Sequence, residues 1–349
     1  MSWFGRHLWL MLLPLAMSFA TNAHARETLR VLAWPGYADA DLVEQFERRT
    51  GSRVELTLVG SDEALRGKVQ HNHGGDFDVF AVNTAELQRY IREGWVAPID
   101  TGRIPNLGRQ LPRFRDLAAI PGLVHAGRVY GIPYTYSEMG LIYDRGQFDA
   151  APDSIQALWE PRYRGKVLAY GGGGHNFSLA AQSLGAASPF RISERSWPGL
   201  VDRLIALRRN VLTFYTRPEE SVELFLRHEV ALMFANYGTQ QLQLLRQAGA
   251  DVGYAIPREG ALAWLDCWVI TRGARDRELA HAWIDHMLDE GASQALVRQQ
   301  GLANTVSTPP GRREDARLLW LEPVEDAARR TRLWQRIIAG DRASKVLAP

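Results

Sequence analysis

The chain of 349 residues contains a single cysteine, Cys267, so no internal disulfide can form. That rules out the disulfide frameworks of small exported domains and zinc sites built from several thiolates. An excess of one charge is missing too. Lys and Arg number 41 against 39 Asp and Glu, which argues against a dedicated nucleic-acid surface. No G-x-S-x-G elbow, H-E-x-x-H pair or S-x-x-K with partners appears, so nothing marks an enzyme. Carboxylates are plentiful, but no spacing singles out a catalytic couple. The only low-complexity tract is Gly171–Gly174. It lacks the G-K-[ST] of a phosphate loop and the acidic residue of a dinucleotide fingerprint.

What is present begins with an export signal. Arg6 and His7 precede an apolar stretch from Leu8 to Ala20, and Ala23-His-Ala25 has the form of a cleavage site. The stretch falls short of the roughly 20 residues of a membrane span and is broken by Pro14. Cleavage after Ala25 and a periplasmic mature protein are expected. No lipobox cysteine is available. Hydrophobic residues at 46% and charged residues at 23% describe an ordinary soluble globular chain.

Short apolar runs alternate with amphipathic stretches. Leu29–Ala33, Val54–Val59 and Phe77–Val82 read as strands. Asp41–Arg49 is an intervening helix closed by Gly51, Asp62–Gln70 another, and Thr84 is placed to cap a third that runs to Glu93. Such alternation predicts a mostly parallel sheet covered by helices. Further on, Lys166–Tyr170 and Val230–Phe234 read as strands. Helices are expected at Asn176–Leu184, Ser193–Arg209, Glu219–Arg227, Thr239–Ala248, Glu278–Glu290 and Ala327–Ala339. Two long extended segments, Ile132–Asp144 and Ala263–Thr271, are natural crossings between two α/β lobes. Cys267 lies in the second, as a small buried apolar residue. His71-Asn-His73 reads as the end of a surface loop, with no third ligand nearby for a metal.

Four residues have the composition of a box for an organic cation: Trp34, Tyr37, Trp264 and Asp266. Aromatic faces attract ammonium groups, by about 0.5–2 kcal/mol per ring. A carboxylate adds a charge-assisted hydrogen bond. Asn83 and Thr84 follow a strand, as residues lining a cleft do.

Leu32-Ala-Trp-Pro-Gly-Tyr37, Phe46-Glu-Arg-Arg-Thr-Gly51 and Gly75-Asp-Phe-Asp-Val79 resemble the opening of a periplasmic spermidine/putrescine-binding protein. Ile132-Pro-Tyr134, Leu158-Trp-Glu-Pro-Arg-Tyr-Arg-Gly-Lys166, Pro257-Arg-Glu-Gly260 and Trp264-Leu-Asp266 continue the resemblance in order. It implies the two-lobed α/β fold of type II periplasmic binding proteins, with a hinge and an interlobe cleft. The lobes would be 26–132 with 264–300, and 133–263 with 301–349, after a signal peptide at 1–25. It also implies a receptor that delivers its ligand to an inner-membrane ABC permease, as a monomer and without a cofactor. In the family, the residues matching Trp34, Tyr37, Trp264 and Asp266 hold one amine and its alkyl chain. A small hydroxyl residue falls near Thr216, and a serine becomes Asn83.

Departures gather at the other end of the site. The family's Asp and Glu, one helical turn apart, become Gly172 and His175. Its tyrosine in a late loop becomes Leu302 and a cleft tryptophan becomes Ala235; away from that end, the aromatic residue two places after Asn83 becomes Ala85. A second ammonium would find no matched carboxylate there, unless Glu219 or Glu220 supplies one. The glycine run ahead of a helix instead suggests an anion site at Gly172–Asn176, assisted by His175 and Arg217. The expectation is a small amine-containing ligand, polyamine-type or an ω-amino acid such as 4-aminobutyrate. A periplasmic sensor accessory or a hydrolytic enzyme is the alternative.

Overall fold

The computed structural model describes residues 27–60, 62–308 and 317–348. The export signal read at the N-terminus lies outside them. No helix among the described residues is long and apolar enough to cross a membrane.

Strand Thr28–Ala33 pairs in parallel with Arg53–Leu58 on one side and Val79–Asn83 on the other. Five of its six residues are buried, as a parallel strand covered on both faces requires. Helix Ala40–Thr50 lies between the first two, buries Leu42 and Phe46, and ends at Gly51 in the left-handed region at φ 73°. The sheet then continues through Ala261–Ile270, Ile132–Asp144, Leu232–Ala235, Val167–Tyr170 and Val211–Tyr215. Ile132–Asp144 and Ala261–Ile270 therefore stand in the middle and belong to both halves. They run antiparallel, with Leu262 opposite Met139 and Trp268 opposite Ile132, and a bulge falls at Asp266/Cys267. A third link, Ala303–Asn304, pairs with Tyr136 and Thr135 of the same strand.

Several expected boundaries moved, each for a local reason. Thr84 does not cap its helix; Asn83 does, its side-chain oxygen accepting the Glu86 N–H at 2.9 Å. The helix expected from Asn176 starts at Gly173, inside the glycine run. The helix expected from Ser193 starts at Trp197, with Pro198 in its first turn. The helix expected over Glu278–Glu290 runs Arg277–Met287, and a further helix that was not expected, Glu290–Gln300, follows it. Asp289 makes the break by accepting the Gly291 N–H at 2.9 Å. Strands Val211–Tyr215 and Val252–Ala255 have no counterpart in the sequence reading. Cys267 is buried. His71 ends helix Asp62–His71 rather than a loop, and lies exposed 3.3 Å from Asp76.

One buried ion pair ties the first half together. Arg30 grips Asp78 through Nε at 3.0 Å, Nη2 at 2.6 Å and its backbone N–H at 2.8 Å, and the Arg275 N–H adds a fourth donor at 2.8 Å. Burial works against ionising Asp78, but these donors outweigh it and its pKa lies below the usual 3.8. A carboxyl whose pKa is depressed in the fold stabilises fully above its unfolded value, and that contribution is lost as pH falls from there through the folded value. Replacing Asp78 with alanine strands the buried guanidinium, and about 3 kcal/mol or more of stability should be lost near pH 7. Urea unfolding at pH 7 and pH 3 should show the gap between parent and variant narrowing in acid.

Candidate functional site

A cleft of about 290 Å³ opens between the two halves of the sheet. Trp34, Tyr37, Trp264 and Asp266 all line it, brought together from opposite ends of the sequence. Alternation along a strand puts Trp264 and Asp266 on one face and Leu265 and Cys267 on the other. Asp266 stands opposite Asn83 in the neighbouring strand. Tyr37 arrives on a turn that passes under helix Glu290–Gln300. Gly36 sits there at φ 82°, where a Cβ would lie 2.5 Å from the Gln300 side chain. Only glycine lets the loop come this close. Gln300 donates to Asp39 at 2.7 Å and fixes the turn from its far side.

Tyr37 Oη donates to Asp266 Oδ2 at 2.8 Å, and Tyr134 Oη donates to the Tyr37 carbonyl at 2.9 Å. Asp266 is 6% exposed. Burial pushes its pKa up to about 7, against the opposing effect of the Tyr37 hydrogen bond. Trp264 Nε1 donates to the Asn236 carbonyl at 3.0 Å, a tie from the crossing strand to the loop after Leu232–Ala235. This end of the cleft is therefore two indoles, a phenol and a carboxyl poised between its charged and neutral forms.

The opposite wall holds His175 and Arg217 with Tyr170, Glu219, Asn236 and Tyr237. His175 stacks on Tyr170 at 5.5 Å, and Tyr237 meets Tyr170 edge-on at 5.9 Å. Burial lowers the His175 pKa to about 4, helped by the charge of Arg330 and opposed by the Asn236 side chain. The ring is thus neutral at neutral pH. Arg217 is an exposed cation on this wall. Gly172, Thr84 and Thr216 do not line the cleft. Thr84 is buried within its helix, and Thr216 Oγ1 donates to Glu220 at 2.9 Å. Glu220 is spent on capping: it also accepts the backbone N–H of Thr216 at 2.9 Å and of Arg217 at 3.3 Å. Of the two acids weighed from the sequence, Glu219 lines the cleft and Glu220 does not.

Sequence reasoning missed Tyr170, Asn236, Tyr237, Gln240 and Gln300 as lining residues. Tyr170 ends a strand and Asn236 follows one, a signal that was there to use. Gln240 and Gln300 lie at helix ends and carry no such mark. Asp62 also lines the cleft, accepting from Asn83 Nδ2 at 3.3 Å.

The family model of bacterial extracellular solute-binding proteins matches residues 41–309. The chain belongs to that family. The spermidine/putrescine-binding periplasmic protein of Escherichia coli K12 is 25% identical over 292 residues, covering 83% of this chain and 80% of that protein. A putative spermidine/putrescine ABC transporter structure from Listeria monocytogenes superposes with a TM-score of 0.75 at 23% identity, covering 90% of this chain and 98% of that one. The Atu4243–GABA receptor structure gives 0.71 at 16% identity, over 90% and 99%. The fold is accordingly the two-lobed α/β fold of periplasmic binding proteins, and this solute-binding family is one of receptors, not of enzymes.

The poised carboxyl has a signed consequence. The unfolded chain loses the Asp266 proton near 3.8 and the fold holds it to about 7, so stability falls as pH rises between those values. Asp266→Asn should therefore raise the melting temperature of the empty protein at pH 8. An ammonium ligand needs the ionised form. Binding of any ammonium-bearing ligand at Asp266 should release a proton below pH 7, and its affinity should weaken toward a limit of about tenfold per pH unit. Calorimetry in two buffers of different ionisation heat reads both effects.

Proposed function

We propose that this chain is the periplasmic receptor of an ABC importer for a small primary amine, which it hands to an inner-membrane permease. The observation that carries the reading is the amine box itself. Trp34, Tyr37, Trp264 and Asp266 line one cleft, with the Tyr37–Asp266 hydrogen bond spanning 229 residues of sequence. An ammonium there meets aromatic faces and a carboxylate together, the pairing that recognises alkylammonium groups. The lobes would divide as 26–132 with 264–300 and 133–263 with 301–349, so that the crossing strands act as hinge. Export and cleavage after Ala25 bring the chain to the periplasm, where the polyamine-binding relatives act. It works as a monomer, without cofactor or nucleic acid.

At the far end, Arg217 and the neutral His175 favour an acceptor on the ligand. An ω-amino acid of the 4-aminobutyrate type has that shape: its amine in the box, its carboxylate toward Arg217. Gly172 then acts only behind the wall, and Asn83 and Thr216 flank the two ends. Glu219 supports a second reading, because a carboxylate on the same wall suits the second ammonium of a diamine such as putrescine.

Thermal unfolding of the mature protein with putrescine, spermidine or 4-aminobutyrate separates these. A ligand at 100 times its dissociation constant adds about 2.7 kcal/mol, an easily read shift. Stabilisation by 4-aminobutyrate alone, lost in Arg217→Ala, is the expected result. Stabilisation by putrescine, lost in Glu219→Gln, establishes the diamine instead. No shift with any of the three overturns the amine receptor.

A further inference from the structure

The strand that ends at Tyr170 runs into four successive glycines before His175. Both flanking residues line the cleft, and the glycines between them do not. What they touch is the C-terminal helix Ala327–Ile338. Trp334 Nε1 donates to the Gly171 carbonyl at 2.7 Å. Arg330 donates from Nη1 to the Gly174 carbonyl at 3.1 Å and to Ser178 Oγ at 2.8 Å. Glu325 holds that guanidinium at 2.9 and 2.8 Å, and the Arg330 side chain is wholly buried.

The run is thus clamped at both ends from behind. It is also squeezed from both sides. A Cβ on Gly172 would lie 2.3 Å from the Tyr170 ring, and one on Gly173 would lie 2.8 Å from Trp334. At Gly172 and Gly173 side chains are excluded because the backbone there is a thin partition, with the cleft's Tyr170 on one face and the helix's Trp334 on the other, whereas a Cβ on Gly174 would meet nothing within 4 Å. Phe214 meets Trp334 edge-on at 4.9 Å and backs the indole in turn.

We infer that the C-terminal helix is the ruler of the ligand site: Trp334 and Arg330, outside the cleft, fix the glycine partition and so set the ligand length accepted at His175 and Tyr170. They are positioning residues that touch no ligand. The inference rests on the amine-receptor reading above and adds to it the element that selects chain length. Moving the partition back lengthens the cleft, and moving it forward shortens it. Trp334→Phe removes the indole donor and some volume behind the wall. Gly173→Ala adds a methyl that Trp334 opposes and drives the wall inward.

The test is a set of dissociation constants for the parent and both variants. The probes are ω-amino acids and α,ω-diamines of three to six carbons, with n-butylamine as a probe of the aromatic box alone. Trp334→Phe should shift the preferred length up and Gly173→Ala should shift it down. Selectivity between neighbouring lengths should change about tenfold, the scale of one methylene in a fitted pocket. Binding of n-butylamine should stay within about twofold of the parent. An unchanged length profile in both variants overturns the inference. So does a parallel loss of every probe, n-butylamine included, which is the mark of a purely structural role. A parent that binds no probe at all sinks the amine-receptor reading itself, a different and separable failure.

Discussion

Leu262 to Trp268 lie antiparallel to Met139 to Ile132, and this ladder carries the sheet from one half of the molecule into the other. Everything at the site is registered to it. Because side chains alternate, fixing Asp266 beside Asn83 also fixes Trp264 on the same face. The strand is buried along its whole length, so its backbone groups must all be paired inside the protein. A slip by one residue would turn Trp264 and Asp266 into the core and bring Leu265 and Cys267 to the cleft. Burial on both faces makes such a slip costly, which is why a site assembled from distant segments can be precise. The bulge at Asp266/Cys267 is the one place where the ladder gives, and it falls at the carboxylate.

Two titratable groups of the cleft carry little charge while it is empty. Asp266 is held partly protonated by burial, and His175 is held neutral by it. Carboxylate and guanidinium groups that are not buried sit at the rim, on exposed Arg217 and Glu219 at the far wall and on Asp62 beside Asn83. Desolvating a permanent ion in an empty cleft would cost stability, so a carboxyl that ionises when its partner arrives avoids most of that cost. Neutral aromatic surface supplies the rest of the lining.

Strand–helix alternation was legible because apolar period and helix stops are local signals. Leu42 and Phe46 face the core one helical turn apart, and Gly51 takes the left-handed turn that ends their helix. Ile132–Asp144 read correctly as one long extended segment, although Thr135, Ser137 and Glu138 interrupt its apolar residues and are buried with them. The boundary at Asn83 failed because Thr and Asn are both good caps and only the fold selects between them. Val252–Ala255 was illegible since a four-residue strand has too few residues for a period. At the site, the amine box was readable as chemistry. The opposite wall was not. The glycine run looked like an anion nest, but Tyr170 and Trp334 occupy its two faces, and neither contact is encoded nearby.

Cys267 has a practical side. It is the only thiol in the chain, fully buried, and burial and neighbouring Asp266 hold it protonated well above its ordinary range. Reagents that seek thiolates pass it by, since attack needs both exposure and ionisation. One cysteine placed at the mouth of the cleft would be the sole site to accept a dye. The molecule comes with the blank background that a single-label optical sensor requires.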